Sequence, residues 1–172
     1  MLETFETERL ILRERTMEDL EDCIEMDCEE EVVKYIPEVR ELLNSQNKHI
    51  AFVKKRIETK YPNGLGYWTI ESKVNNGVFI GWILLIPVDN VGPEIEMGWR
   101  IKRDYWGAGY ATEAANVILK YAFKKVNLEN VVADIHQLNR GSIRVAEKLG
   151  FTVERSVNGN TDNYVRYSIH KG

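Results

Sequence analysis

The sequence predicts a mixed α/β layer, and three observations carry that expectation. First, 172 residues at 44% hydrophobic and 29% charged have the length and balance of one soluble globular domain, expected to span residues 1–172. Second, apolar residues alternate at strand period over Glu94 to Lys102 and recur at helical period in the segments that flank the strands. Third, the segments follow one another as βαα, then βββ, then αβαββ, which is not the regular alternation of a doubly wound parallel sheet.

The elements follow in order. Arg9 to Arg13 opens as a strand. Thr16 is placed to cap a helix over about Met17 to Cys28, with Asp19 three residues on as the reciprocal partner. Glu29-Glu30-Glu31 reads as a solvated turn, and Pro37 breaks the segment Val32 to Ile36. A second helix runs from about Ser45 to Thr59, with Ile50, Val53 and Ile57 as its apolar stripe. Strands over Gly66 to Lys73 and Gly77 to Pro87 flank a turn that ends in Asn76-Gly77, a pair suited to a tight hairpin. In the next strand, Ile95, Met97, Trp99 and Ile101 share one face, and Glu94, Glu96, Gly98 and Arg100 the other. A glycine-bearing loop leads into a long helix to about Val126, which buries Ala114, Ile118, Leu119, Ala122 and Phe123. Asn130 to His136 is a strand, and Arg140 to Leu149 a helix ended by Gly150. Phe151 to Val157 and Asn163 to Ile169 pair around Asn158-Gly159-Asn160.

Composition excludes several classes. A net charge of -4 argues against a nucleic-acid partner, which calls for a basic face. The longest apolar run, Val78 to Val88, is too short for a bilayer and contains Gly81 and Pro87, so no membrane partner is expected. No basic stretch followed by an apolar run marks the start as a secretory signal. Cys23 and Cys28 fall five apart in a predicted helix, so they read as reduced packing thiols in a cytoplasmic protein. His49, His136 and His170 are scattered, and no ligand-like spacing predicts a metal site.

The chemistry sits at Trp106 to Thr112. A helix start leaves its first N–H groups without partners and carries positive partial charge. Small residues there, Gly107, Ala108, Gly109 and Ala111, let an anion approach the backbone, so strand, loop and helix make a phosphate or pyrophosphate site. Two glycines before a helix also serve a simple tight turn. A dinucleotide fingerprint calls for a third small residue where Thr112 stands, and a P-loop calls for a Gly-Lys-Ser/Thr triplet that is absent.

Residues Glu94 to Ala115 resemble the cofactor motif of the GNAT superfamily of N-acetyltransferases, nearest to the branch that includes the ribosomal-protein N-terminal acetyltransferases. The opening Glu6 to Arg13 resembles that branch's first strand. Asn139-Arg140-Gly141-Ser142, followed by Glu147 to Phe151, resembles its second cofactor motif. The resemblance covers nearly the whole chain. It implies the GNAT fold: a mixed, mostly antiparallel sheet with helices on both faces, splayed between the fourth and fifth predicted strands. Acetyl-CoA is the implied co-substrate and an amine the implied acceptor, a protein N-terminus or a small molecule; homodimers are common in the family. Gly107 to Thr112, including Ala108, Tyr110 and Ala111, would hold the pyrophosphate, and backbone groups of Ile101 and Arg103 the pantetheine arm. Trp106 stands where the family usually has Gln or Arg, which puts a side-chain contact in doubt rather than the cradle.

Direct attack of an amine on the thioester calls for a base, a stabilised oxyanion and a proton for the thiolate. Glu96 is the candidate base, with a solvent-facing residue or an ion pair to Arg100 as the plainer reading; Glu94 reads as the latter kind. Ala146 occupies the position of the tyrosine acid used by many GNATs. Ser142, one turn earlier, is the replacement implied by the branch, and Asn139 would bind pantetheine or orient the thioester. Their plainer roles are a first-turn helix residue and an N-cap. Tyr164 and Tyr167 are further acid candidates, and Trp68 and Trp82 candidate walls of an acceptor pocket. The rival readings are a CoA-binding sensor that has lost chemistry and a nucleotide-binding switch.

Overall fold

The computed structural model describes residues 1–156 and 163–172. Its eight strands are β1 (Phe5–Glu6), β2 (Leu10–Glu14), β3 (Gly66–Ser72), β4 (Val78–Pro87), β5 (Ile95–Ile101), β6 (Asn130–His136), β7 (Thr152–Ser156) and β8 (Tyr164–His170). They form one sheet in the order β1-β2-β3-β4-β5-β6-β8-β7. Every neighbouring pair is antiparallel except β5 and β6. These two run parallel and share a single pairing, Glu96 opposite Val132. That is the expected splay: beyond this point neither strand supplies ladder partners to the other, and a gap opens toward Ile101 and His136.

The helices are α1 (Leu20–Asp27), α2 (Glu30–Val33), α3 (Pro37–Leu42), α4 (Gln46–Glu58), α5 (Tyr110–Lys124) and α6 (Arg140–Leu149). The period-2 alternation of the strands divides the core in two. On one face Trp68, Ile83, Leu85, Met97 and Ile101 pack with Ala114, Ile118 and Ala122 of α5. On the other, Tyr67, Trp82, Leu84 and Ile86 pack with Cys23 and Met26 of α1 and Val53 of α4. Gly81 sits at a bulge, where Ile70 faces Gly81 and Glu71 faces Phe79. A Cβ there would lie 2.1 Å from the Arg100 carbonyl oxygen, so this close approach of β4 to β5 admits only glycine.

Several segments differ from the expectation. The two-residue β1 was not anticipated, since two residues carry no period. The expected helix from Met17 begins as a 3-10 turn over Met17–Asp19. There the Asp19 carboxylate accepts the Thr16 N–H at 2.9 Å, as the capping pattern suggested. The acidic run is not a turn: Glu30 and Glu31 start α2, which the fully buried Val33 anchors. Pro37 ends one segment but also opens α3, because its fixed φ suits the first helical position. Ser45 caps α4, and Gly150 closes α6 at φ 95°. The turn expected at 158–160 lies outside the described residues.

Candidate active site

β5 leads through a short 3-10 turn, Arg103–Tyr105, into the loop and then α5. Gly107 and Gly109 have φ of 76° and 82°, the left-handed region that glycine enters without strain. Among the described residues, the backbone N–H groups from Gly107 through Thr112 donate to no protein acceptor; the next, Glu113 N–H, bonds to the Gly109 carbonyl at 3.0 Å. The loop from Trp106 to Gly109 is exposed. Six successive unsatisfied amides at the start of a 15-residue helix, with no side chain on two of the four loop residues, fit a pyrophosphate.

The loop is tied at both ends. The Trp106 indole donates to the Ile101 carbonyl at 2.7 Å, and the Arg103 guanidinium lies over the Trp106 ring. Thus the residue that departs from the family pattern braces the loop against the end of β5. One lone pair of the Ile101 carbonyl is taken by this bond, leaving the second for a ligand. On the other side, Arg9 donates to the Ala108 carbonyl at 2.9 Å and pairs with Glu113. Thr7 donates to the same carboxylate at 2.6 Å. Burial raises the Glu113 pKa, but the bonds from Thr7 and Arg9 outweigh it and hold the group below its ordinary value.

The gap between β5 and β6 opens into a cleft of about 760 Å³, within the range of small-molecule sites. Glu96 and Gly98 line one wall, Asn139 and Ser142 another, and α3 and α4 roof it through residues such as Val39 and Phe52. Burial pushes the Glu96 carboxyl up to about 7, and the nearby Asp134 and Asp89 push the same way against Arg56 and Arg166. Arg100 does not pair with Glu96; it binds Asp27 at 2.8 Å. Glu94 is held by Arg166 at 3.0 Å, and Arg166 also grips Asp134. Asn139 caps α6 by accepting the Ser142 N–H at 3.2 Å, while both residues face the cleft. Tyr164 lines it too, with its hydroxyl donating to the Tyr35 carbonyl. Tyr167 is buried in the core on the α5 side. Trp68 is wholly buried there and donates to the Glu3 carbonyl; Trp82 alone of the two walls the cleft.

Sequence reasoning missed the polar residues of the helical side. Buried Asp27 joins His49 of α4 at 3.0 Å to Arg100 of β5. Arg15 stacks on Tyr67 at 3.7 Å, and Arg56 donates to the Tyr67 hydroxyl at 3.2 Å. Only the polar face of β5 hinted at any of them, through Arg100. Among the described residues no group of three or more His, Cys, Asp or Glu side chains is placed to hold a metal ion, and no helix is long and apolar enough to cross a membrane.

The chain is similar to known proteins. The family model described as an acetyltransferase (GNAT) domain matches residues 9–152. The FsC-acetyl coenzyme A-N(2)-transacetylase of Aspergillus fumigatus is 30% identical over 96% of this chain and 75% of its own length. The uncharacterized N-acetyltransferase YnaD of Bacillus subtilis is 32% identical over 86% of this chain and 82% of its own. The crystal structure of a GNAT-family acetyltransferase from Bacillus anthracis superposes with a TM-score of 0.79, at 27% identity and 98% coverage of both chains. With the splayed sheet, the amide cradle and these matches together, the chain belongs to the GNAT family and is an acetyl-CoA-dependent N-acetyltransferase.

Proposed function

We propose that the protein transfers the acetyl group of acetyl-CoA to a primary amine by direct attack, with Glu96 as base and Ser142 as acid. The observation that carries this reading is a half-buried carboxyl, Glu96, lining the same cleft as Ser142 and Asn139 where the splay of β5 and β6 opens, with burial pushing it up to about 7. Bound acetyl-CoA supplies the thioester. Gly107 to Thr112 hold its pyrophosphate through their amides, and the backbone of Ile101 and Arg103 lines the pantetheine arm. Glu96 takes a proton from the acceptor ammonium, directly or through water. The neutral amine nitrogen then forms the bond to the acyl carbon and the carbon–sulfur bond breaks. Ser142 passes its hydroxyl proton to the departing thiolate and regains one from the attacking nitrogen, directly or through water, while Glu96 releases its proton to solvent. Asn139, fixed by its cap bond to Ser142, orients the thioester. A cytoplasmic setting goes with this reading and is supported by two unlinked cysteines, Cys23 and Cys28. The test is release of free thiol from acetyl-CoA across a panel of primary amines. Release that depends on the amine is expected. CoA binding with no release on any amine would replace transfer with sensing.

A further inference from the structure

The cleft has two ends of opposite character. Near the splay it carries the carboxylates Glu96, Asp134 and Asp89, with Arg166 engaged by Asp134. Toward β3, β4 and α4 it carries guanidinium groups, Arg15, Arg56 and Arg100. Arg100 is paired with Asp27. Arg15 and Arg56 have no carboxylate within ion-pair distance among the described residues; Glu38 acts on Arg56 only from farther away. The contacts of Arg15 are the Tyr67 and Trp82 rings and the Cys23 thiol, on which it acts by charge and hydrogen bonding against the effect of burial.

Arg15 is 9% exposed, and its Nε and Nη2 atoms are buried without a hydrogen-bond partner. So is Nε of Arg100, whose guanidinium lies over the same Trp82 ring at 4.7 Å. Three of the four buried, unpartnered side-chain polar atoms among the described residues therefore belong to arginines beside Trp82. A buried polar group without a partner costs free energy, so such a cluster marks a place where something else completes the bonds. The Nε/Nη2 edge identifies the missing group. Elsewhere in this protein the same edge of Arg166 holds both oxygens of Asp134, at 2.8 and 2.9 Å, and that of Arg9 holds Glu113 at 2.7 Å. It is the side-on fork that matches a carboxylate.

We infer that the acceptor is a small amino carboxylate, its amine toward Glu96 and its carboxylate on the Arg15 fork, with Arg56 alongside. This rests on the transfer reading above and deepens it. A polyamine would leave the fork unfilled and bring cationic groups against Arg15 and Arg56. In the register of the sheet, Tyr67, over which Arg15 lies, faces Leu84, two residues from the Ile86 that faces Glu96. The amine and carboxylate ends are thus offset by roughly 7 Å along the strands.

The experiment compares kcat/KM for amino acids whose terminal amine can span that offset and their decarboxylated twins: lysine with cadaverine, ornithine with putrescine, 6-aminohexanoate with pentylamine. At least one amino acid is expected to exceed its twin by roughly 10-fold or more, the scale of a charge-assisted bidentate pair. Arg15→Met is expected to cut that ratio by a similar factor through KM, and Arg15→Lys to restore it only partly. Arg56→Gln should lower the ratio as well, which guards against an Arg15 variant that fails to fold. Twins that equal or exceed their amino acids, or a ratio unchanged in a folded variant, would overturn the inference while leaving acetyl transfer standing. Thiol release with none of the six amines would overturn it too, and release with no amine of any kind would sink the transfer reading beneath it.

Discussion

The Trp106 indole donates to the Ile101 carbonyl at 2.7 Å, which locks the cofactor loop onto the end of β5. The bond ties the strand end to the amide cradle. Trp106 is 42% exposed, so its role is not core packing. Trp106→Phe keeps an aromatic face for Arg103 but removes the donor. It is expected to cost roughly 1 kcal/mol of stability and to weaken CoA binding several-fold. Denaturant midpoints and calorimetric titration check it; an unchanged midpoint with unchanged affinity would show the bond to be incidental.

Glu113 makes the second brace, between the segment Thr7 to Arg9 and the first turn of α5. Its folded pKa lies below the ordinary 4.5. Stability from this group is therefore fully present above the unfolded value and is lost as pH falls through the folded one. Glu113→Gln should destabilise the protein by roughly 1 to 3 kcal/mol at pH 7. The gap to wild type should narrow as pH drops below about 4. Urea melts of both proteins at pH 7 and pH 3 measure it, and a gap that stays constant would mean that the charge of Glu113 is irrelevant.

Glu96 carries the opposite shift, up to about 7. As a base it works only when ionised, so wild-type kcat/KM should rise with pH through about 7. Glu96→Gln should lose roughly 10²- to 10⁴-fold in rate and lose that ascending limb. The same shift has a stability consequence. The folded state prefers the protonated carboxyl, so stability from it is present below the unfolded pKa and declines as pH rises toward 7. The Gln variant, with no charge to bury, should therefore gain on wild type above pH 7. A rate profile shared by both proteins would remove Glu96 from the chemistry.

The sheet was legible because β5 alternates in sequence, β4 is a bounded apolar run and the long helices carry stripes. Asn130 to His136 and Arg140 to Leu149 were bounded by the residues that bound them in the fold, since Asn139 and Gly150 are a cap and a stop with distinct chemistry. The stretch from Glu29 to Leu42 was not legible. Its two helices are too short to show a period, and α2 exists because Val33 finds a core position that only tertiary packing supplies. The half of the site proposed to hold the cofactor has its own signature in the sequence for a related reason. It is one continuous segment, Glu94 to Thr112, plus the start of α6. The proposed acceptor half is assembled from Arg15, Asp27, Arg56 and Arg100, far apart in the chain and each ordinary in its own context. What makes them notable is a missing partner or a buried neighbour, and neither is a property of sequence.

The central claim is that the loop from Gly107 to Thr112 binds the pyrophosphate of acetyl-CoA. Calorimetric titration with CoA, on wild type and on Gly109→Glu, tests it most directly. The substitution puts a carboxylate among the amides, and Gly109→Ala controls for the strain of a side chain at φ 82°. Wild type is expected to bind, Gly109→Ala to bind more weakly, and Gly109→Glu to lose affinity by at least about 100-fold while remaining folded. No heat of binding to wild type, or equal affinity in folded Gly109→Glu, would contradict the account.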